Sequence, residues 1–270
     1  MERTEESMLT STANPRVKNI VALQKKGKER KQQGLFVIEG RKLFEEVLRD
    51  APEAVKEVYV TEAFLEVPAQ RELLRGVVYE TVSEAVMKAM AETMEPQGVL
   101  AAVRIPRYDK ERLLKSESAV WVALEDLRDP GNLGTILRTS EAAGVAGVIL
   151  SANSVDIYNP KVVRSTMGAI FRVPHFYATD FLGELQQFQK TGASIYAAHL
   201  MGKLFYDEPE YAGRTVILIG NEANGLSPEA SAMADCLVKI PMEGKAESLN
   251  AAVATSLFVY EAYKKRRKKE

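Results

Sequence analysis

Residues 119–138 read AVWVALEDLRDPGNLGTILR and decide the fold class. The first six residues are all apolar, which is typical of a strand buried on both faces of a sheet. Pro130 and Gly131 then force a turn, Asn132 is a suitable cap for a following helix, and Arg138 falls about two turns into that helix. The stretch therefore predicts a strand, a loop and a helix, which is the repeating unit of an α/β fold.

The same alternation continues to the C-terminus. Near-continuous apolar strands are interleaved with helical patterns, and one long apolar-periodic helix follows them. The sequence therefore predicts an α/β domain built on a parallel sheet with both faces covered. The predicted strands are 119–124, 147–150, 171–174, 194–198, 215–220 and 236–240, and the predicted helices are 133–143, 160–168, 181–190 and 249–263.

Upstream, the pattern predicts a smaller α/β module. It begins with a basic amphipathic helix and continues with predicted strands at 35–39, 55–60 and 98–103 and predicted helices at 41–48 and 84–94. A charged stretch that includes Pro106 separates the two patterns. We therefore expect a first domain over 1–106, a linker over 107–118 and a second domain over 119–270.

The composition is that of an ordinary globular protein. With 46% hydrophobic and 27% charged residues, disordered and collagen-like classes are excluded. No apolar run approaches the ~18 residues that a membrane span needs, and the acidic N-terminal residues do not resemble a targeting signal, so we expect a cytoplasmic protein. Cys236, His175 and His199 are the only cysteine and histidines, which is too few for a structural zinc site.

The net charge of −1 conceals a segregation of charge. Residues 16–31 carry +6 and residues 264–270 carry +5, so the rest of the chain is strongly acidic. Basic segments on an acidic body fit a polyanion such as RNA, although a solvated helix face is the alternative interpretation. The candidate RNA-binding residues are Arg16, Lys18, Lys25, Lys26, Lys28 and Arg30.

Three loops of the second domain carry candidate functional residues. In open α/β sheets, ligands bind beyond the carboxyl ends of the strands. The loop after the first strand, residues 125–134, reads EDLRDPGNLG; the loop after the fifth strand, 220–226, reads GNEANGL; and the loop after the sixth, 240–250, reads IPMEGKAESLN, in which Ser248 is the expected cap of the last helix.

In this order and spacing, the three loops resemble the motifs of the SpoU/TrmH family of SPOUT-superfamily RNA methyltransferases. The resemblance covers 119–263, and the stretches at 14–18, 36–40 and 96–99 are similar to the accessory substrate-binding domain of the family, which is built like a small ribosomal RNA-binding protein. It implies a 2′-O-ribose methyltransferase that uses S-adenosylmethionine, a deep trefoil knot in the C-terminal domain and a homodimer. The knot is implied by the resemblance alone, since topology rules disfavour knots.

Site residues are assigned by the same resemblance. The implied catalytic residues are Asn132, Arg138, Glu222, Ser248 and Asn250. The implied cofactor-binding residues are Ala198, His199, Leu200, Gly220, Asn221, Ile240, Met242 and Leu249. Glycine-bearing turns and apolar side chains suit an adenine ring, whose edge can be read by backbone groups.

We interpret Arg138 as a charged fork that holds a phosphate and lowers the pKa of the ribose hydroxyl, because a neutral guanidine at pH 7 would cost about 7 kcal/mol. Ser248 and Asn132 would orient the reacting oxygen and the loops, and Glu222 would brace a neighbouring backbone or arginine. Apolar positions in the last helix, Val253, Leu257, Phe258 and Tyr260, suggest that it contributes to the dimer interface.

Three alternatives are weighed. A Rossmann methyltransferase or dehydrogenase would need a Gly-x-Gly-x-x-Gly turn after the first strand, which this sequence lacks. A non-catalytic RNA-binding or ribosome-assembly factor would not need the set formed by Arg138, Ser248 and Asn250. A tRNA methyltransferase stays open, but the accessory domain favours structured ribosomal RNA of the 23S type.

Overall fold

The computed structural model of the chain describes residues 8–109, 111, 113 and 119–267. The chain forms two compact units, Met1–Arg107 with Asp156–Phe171, and Tyr108–Val155 with Arg172–Glu270. The predicted linker 107–118 lies largely outside the described residues, and the predicted domain limits stay a prediction. Asp156–Phe171 joins the first unit, which no pattern in the sequence predicts.

The first unit contains a four-stranded sheet in the order β1-β4-β2-β3, in which β3 runs parallel to β2 and the other neighbours are antiparallel. Val17, Ile20 and Leu23 of the first helix are buried in its core, which confirms the predicted amphipathic helix. The elements are α1 (Pro15–Lys25), α2 (Gly27–Gln33), β1 (Leu35–Glu39), α3 (Arg41–Asp50), β2 (Val55–Val60), α4 (Glu62–Glu66), α5 (Pro68–Glu72), β3 (Glu80–Thr81), α6 (Glu84–Met90) and β4 (Val99–Arg104).

Two contacts explain why the later segment belongs to this unit. The ring of Phe36 lies 5.0 Å from that of Tyr158 and 6.1 Å from that of Phe171, measured between centroids. The guanidinium of Arg30, which is 4% exposed, donates to Asp156 Oδ2 at 2.6 and 3.0 Å and to the carbonyls of Leu23 and Gln24. A buried cation must be paired, and Asp156 supplies the charge.

The second unit contains a seven-stranded sheet in the order β7-β6-β5-β10-β8-β11-β9, and every pair of neighbours is parallel. This confirms the predicted parallel sheet. Its core is packed closely enough that a Cβ on Gly147 would lie 2.3 Å from the Trp121 ring. The elements are β5 (Ala119–Leu124), α7 (Pro130–Ala142), β6 (Gly147–Ser151), β7 (His175–Ala178), α9 (Phe181–Lys190), β8 (Ser194–Ala198), β9 (Leu204–Phe205), β10 (Arg214–Ile219), α10 (Pro228–Ala232), β11 (Cys236–Lys239) and α11 (Ala251–Arg267). The intervening α8 (Pro160–Ser165) belongs to the first unit.

The structure corrects several predicted bounds. The strand predicted at 171–174 is wrong, because residues 169–171 form a 3₁₀ turn and the strand starts at His175, after Pro174, which has no N–H to donate. The helix predicted over 84–94 ends at Met90, since the next two free amides, those of Glu92 and Thr93, donate to the buried carboxylate of Glu39 instead. The last helix starts at Ala251 and continues to Arg267.

The last helix also changes the expected dimer surface. Phe258 is fully buried and Leu257 is partly buried. Phe258 therefore cannot contact a second copy of the chain, and Leu257 can do so only in part. Val253 and Tyr260 are about half exposed, together with Tyr263. The homodimer and the trefoil knot stay predictions. Within the described residues, we find no helix with the length and apolar character of a membrane span.

Candidate active site at the carboxyl edge of the parallel sheet

The loops that follow β8, β10 and β11 enclose a cavity of about 460 Å³ in the second unit. All eight residues that the resemblance assigns to the cofactor line it, and so do two of the assigned catalytic residues, Glu222 and Ser248. The eight are Ala198, His199, Leu200, Gly220, Asn221, Ile240, Met242 and Leu249. Two of the three loops that the sequence singled out, those after β10 and β11, therefore meet at this cavity, together with the loop after β8.

A tight turn forms the wall contributed by the loop after β10. Asn221 and Gly225 exchange two backbone hydrogen bonds of 2.9 Å each, and Gly225 has a φ of 69°, a conformation that favours glycine. A Cβ on Gly220 would lie 2.2 Å from the Gly225 carbonyl carbon, so only glycine fits at this position. The turn places Glu222 at the cavity wall.

Asn221 holds this turn against the loop after β5. Its side-chain Nδ2 donates to the Asp126 carbonyl at 2.7 Å, and its side-chain Oδ1 accepts from the backbone amides of Ala223 and Asn224. The side chain of Asn221 is therefore occupied within the protein. Its predicted part in cofactor binding is limited to its backbone and to the position of the turn.

A chain of hydrogen bonds joins three of the candidate catalytic residues. Asn250 donates through Nδ2 to Asn132 Oδ1 at 2.8 Å, and Asn132 donates through Nδ2 to Glu222 Oε1 at 3.0 Å. Glu222 also accepts from the backbone amides of Arg128 at 3.1 Å and Asp129 at 3.0 Å. The carboxylate thus braces the loop after β5, as predicted from sequence, and the chain fixes the three loops relative to one another.

The environment of Glu222 keeps it ionised. Partial burial acts to raise the pKa of its carboxyl, but the hydrogen bonds donated by Asn132 and by the amides of Asp129 and Arg128 together bring the pKa below its ordinary value. An acceptor with three protein donors and a lowered pKa is a poor general base. The geometry therefore favours a bracing role over proton abstraction.

Two helix caps differ from the expected ones. The N-cap of α7 is Asp129, whose carboxylate accepts from the Asn132 amide at 2.8 Å, so Asn132 lies inside the helix with its side chain buried. Asn250, not Ser248, caps α11, because its side-chain oxygen accepts from the amides of Ala252 and Val253. Both predicted caps are wrong. The side chains of Asn132 and Ser248 are therefore not used for capping and can take another role.

Ser248 and Arg138 remain without a partner among the residues that the structure describes. Ser248 is exposed on the cavity wall and makes no hydrogen bond to a described residue. Arg138 is exposed on α7, is not part of the cavity wall and makes no ion pair with a described residue. A hydroxyl and a guanidinium without internal partners can bind a substrate without first breaking a protein contact.

The cavity wall fits S-adenosylmethionine. Ile240, Met242 and Leu249 supply apolar contacts, while the backbone of the 220–225 turn supplies polar groups at the edge. His199 accepts from the Met201 amide through Nδ1 and so is fixed by a local turn. Further wall residues, among them Met201, Lys239, Ala254 and Phe258, were not predicted, because no motif separates them from ordinary core or surface positions.

The candidate RNA-binding residues of the first unit are not equivalent. Lys18, Lys25, Lys26 and Lys28 are exposed. Arg16 is also exposed but forms an ion pair with Glu80. Arg30 is buried and bound to Asp156, so its assignment to RNA is wrong: its charge stabilises the corner between α1 and α2.

The other residues weighed from sequence take no part in the site. His175 is buried, its Nδ1 lies 2.8 Å from the Val173 carbonyl, and burial lowers its pKa to about 4, so it is neutral at pH 7. Burial raises the pKa of the Cys236 thiol. Among the described residues, no group of three or more His, Cys, Asp or Glu could hold a metal ion.

Comparisons with known proteins agree with the position of this site. The model of the SpoU rRNA Methylase family matches residues 119–260, which contain every loop of the site. The chain belongs to this family. The model of the MRM3-like substrate binding domain matches residues 14–101 of the same chain.

Individual relatives match most of the chain. The protein is 32% identical over 252 residues to the 23S rRNA (guanosine(2553)-2′-O)-methyltransferase RlmP of Bacillus subtilis, covering 93% of this chain and 97% of the relative. It is 33% identical over 205 residues to a 23S rRNA (uridine(2479)-2′-O)-methyltransferase of Streptomyces viridochromogenes, covering 73% and 71%. The crystal structure of the SpoU methyltransferase AviRb from that organism with AdoMet superposes with a TM-score of 0.85 at 29% identity, covering 94% of this chain and 98% of that one.

The predictions of family, enzyme class and cofactor type are confirmed. The SpoU domain coincides with the parallel sheet and with the predicted motif loops, and the substrate-binding match coincides with the predicted accessory module. The residue roles stay predictions, and we take them up as proposals.

Proposed function

We propose that this protein methylates a ribose 2′-hydroxyl of 23S-type ribosomal RNA with S-adenosylmethionine as methyl donor. The observation that carries the proposal is the convergence of the loops after β8, β10 and β11 on one cavity. Beside it, Glu222, Asn132 and Asn250 form a continuous chain of hydrogen bonds. A protein that only binds RNA needs no such arrangement at a cofactor-sized cavity.

The bound cofactor supplies an electrophilic methyl group on a sulfonium. The protein must bring the ribose oxygen into line with that group, and positioning of this kind accounts for much of the rate of a bimolecular transfer. Ser248 is the hydroxyl on the cavity wall that is free to hold the ribose oxygen. Asn132 and Asn250 keep the loops that carry the reacting groups in register.

Arg138 is assigned to the RNA and not to the cofactor, because it is exposed and does not line the cavity. Its planar guanidinium can bind a phosphate through two parallel hydrogen bonds, and its charge lowers the pKa of a nearby ribose hydroxyl. The hydroxyl would then release its proton to solvent more easily as the new O–C bond forms and the C–S bond of the methyl donor breaks. This role does not require a neutral arginine.

The first unit is assigned to recognition of the RNA. Its match to a substrate-binding domain and its four exposed lysines on and next to α1 support this assignment. The two curated relatives are named for different nucleotides of 23S rRNA, so the proposal names the RNA and leaves the nucleotide to be mapped. We further propose a cytoplasmic homodimer that includes α11 at its interface.

The function is tested by transfer of tritium from labelled S-adenosylmethionine to ribosomal RNA and, separately, to tRNA. We expect label in 23S rRNA, and the position is then found by comparing 2′-O-methyl sites between a deletion strain and its parent. Arg138→Ala should lower kcat/KM by at least 100-fold, on the scale of ~3 kcal/mol for a positioned charge, while the Kd for the cofactor stays unchanged. Arg138→Lys should be nearly as poor. Label in tRNA alone, or an Arg138→Ala variant within threefold of wild type, would contradict the proposal.

A further inference from the structure

The loop after β5 carries an arginine that the proposed mechanism does not use. The side chain of Arg128 is 63% exposed, while its backbone amide donates to Glu222 on the cavity wall. The Cα of Arg128 therefore lies next to the chain of hydrogen bonds formed by Asn250, Asn132 and Glu222, on backbone that Glu222 holds in place. An exposed guanidinium on fixed backbone is well placed to meet a substrate that enters the cavity.

Four carboxylates surround this position, and each is occupied by donors within the protein. Glu125 accepts from the amide and hydroxyl of Ser227. Asp126 accepts from the Ser151 hydroxyl, Asp129 caps α7, and Glu222 holds the three donors described above. These contacts fix the carboxylates but leave their negative charge, which repels RNA.

Arg128 is the only cation in the sequence 125–134, between those carboxylates. Among the residues that the structure describes, it makes one ion pair, and this pair is weak: the guanidinium lies 3.6 Å from Asp126 Oδ2, beyond hydrogen-bond distance, and both side chains are substantially exposed. Asp126 is already held by Ser151 at 2.7 Å and does not depend on this contact. The five donors of the guanidinium are therefore available to a ligand.

The sheet order places this loop next to the cavity, at the same edge of the sheet. The cavity is formed by the loops after β8, β10 and β11, and β5 is the next strand along from β10 at the same carboxyl edge. A strand of RNA that delivers a ribose to the cavity and continues along the edge on this side passes the 125–129 loop. Its phosphates meet four carboxylates and one arginine there.

We propose that Arg128 binds a backbone phosphate of the RNA next to the ribose that enters the cavity, and that it offsets the repulsion from the surrounding carboxylates. The inference rests on the proposed function and adds a substrate contact to it. Arg128 acts on the binding of RNA, whereas Arg138 acts on the transfer step. The two arginines should therefore separate in kinetics.

The experiment compares Arg128→Ala, Arg128→Lys and Asp126→Asn with wild type in steady-state methylation of 23S rRNA. Asparagine tolerates the positive φ of 51° at residue 126 and keeps an acceptor for Ser151. The control is Lys190→Ala, which removes an equally charged, exposed side chain at the C-terminus of α9, at the amino edge of the sheet and so away from the cavity. Cofactor Kd and Tm are measured for every variant.

We expect Arg128→Ala to raise KM for RNA about tenfold with kcat within twofold of wild type, and to reduce the slope of log K against log salt by about 0.7 to 0.9. Arg128→Lys should recover part of the loss, because it restores the charge but not the fork. Asp126→Asn should leave KM unchanged or lower it, since it removes a negative charge. Lys190→Ala should match wild type.

Other outcomes separate the possible failures. If Asp126→Asn raises KM as much as Arg128→Ala does, the ion pair is structural and the inference is wrong. An unchanged KM and salt slope in Arg128→Ala, with an active wild type, overturns the inference but leaves the proposed function intact. A wild type that methylates no RNA refutes the proposed function itself.

Discussion

Replacing Asn132 by aspartate tests the hydrogen-bond chain at its central residue. Asn132 is 8% exposed, accepts from Asn250 and donates to Glu222 Oε1 at 3.0 Å. Aspartate has nearly the same shape and can still accept from Asn250, but it has no N–H for Glu222. The substitution therefore converts one attractive contact into a meeting of two carboxylates, with little change in volume.

The expected effect is large because the two groups are close. Two unit charges 3.0 Å apart repel by about 1.4 kcal/mol in water and by about 5.5 kcal/mol at an effective dielectric constant of ~20. Glu222 is partly solvated, so we expect a loss of about 2 to 3 kcal/mol in loop alignment, between these limits. Asn132→Ala loses two hydrogen bonds that water can replace in part, and should cost about 1 to 2 kcal/mol.

Methyl transfer from labelled cofactor, measured from pH 5 to pH 8, distinguishes the two variants. In wild type the pKa of Glu222 is lowered, so its contribution is complete above the unfolded-state pKa and is lost as the pH falls through the folded-state pKa. In Asn132→Asp the facing carboxylates raise each other's pKa, so protonation at low pH removes the repulsion. The activity of Asn132→Asp relative to wild type should therefore rise on acidification, while that of Asn132→Ala should not.

Thermal unfolding and cofactor calorimetry accompany the activity profile. The reasoning is refuted if Asn132→Asp is no less active than Asn132→Ala at pH 8, or if the ratio of its activity to that of wild type does not change with pH. Either result would mean that the chain of hydrogen bonds does not align the three loops.

Four further predictions concern other parts of the molecule. Gly220→Ala should abolish cofactor binding in calorimetry, because the new Cβ meets the 220–225 turn, whereas Gly244→Ala, with no atom within 4 Å of its Cβ, should bind normally. Arg30→Met should lower the unfolding free energy by about 3 kcal/mol without changing the salt dependence of RNA binding. Neutralising four exposed lysines should flatten the salt dependence of RNA binding and leave Tm unchanged. The four are Lys18, Lys25, Lys26 and Lys28. Sedimentation at micromolar concentration should give about twice the 29.9 kDa of one chain, and Val253→Arg should shift it towards the monomer.

The sequence was sufficient for the elements whose signal is local. Strands such as Ala119–Leu124 and Ser194–Ala198 are continuous or alternating apolar runs, and both are found at the predicted residues. The motif residues could be recognised because their order and spacing are unusual. In contrast, the two-residue strand Leu204–Phe205 has too few residues to carry a periodic signal.

Long-range partners could not be predicted in this way. Arg30 looks like any other cation of a basic segment, and its true partner, Asp156, lies 126 positions later. Asn132 and Glu222 are 90 positions apart, and Asn132 and Asn250 are 118 apart. No local pattern shows which polar side chain meets which, so the RNA role assigned to Arg30 is wrong. The cap assigned to Asn132 is wrong for a local reason, because Asp129, three residues earlier, caps α7 instead.

The position of β10 has a consequence for how this chain is synthesised. Its residues 214–219 lie between β5 and β8 in the middle of the sheet, although they come late in the sequence. Until they leave the ribosome, β5 and β8 each keep an open edge, and unpaired edges of apolar strands recruit other chains. The second unit therefore cannot complete its core until these residues have been synthesised, and a message truncated before residue 214 should yield an aggregating product and no partially active enzyme.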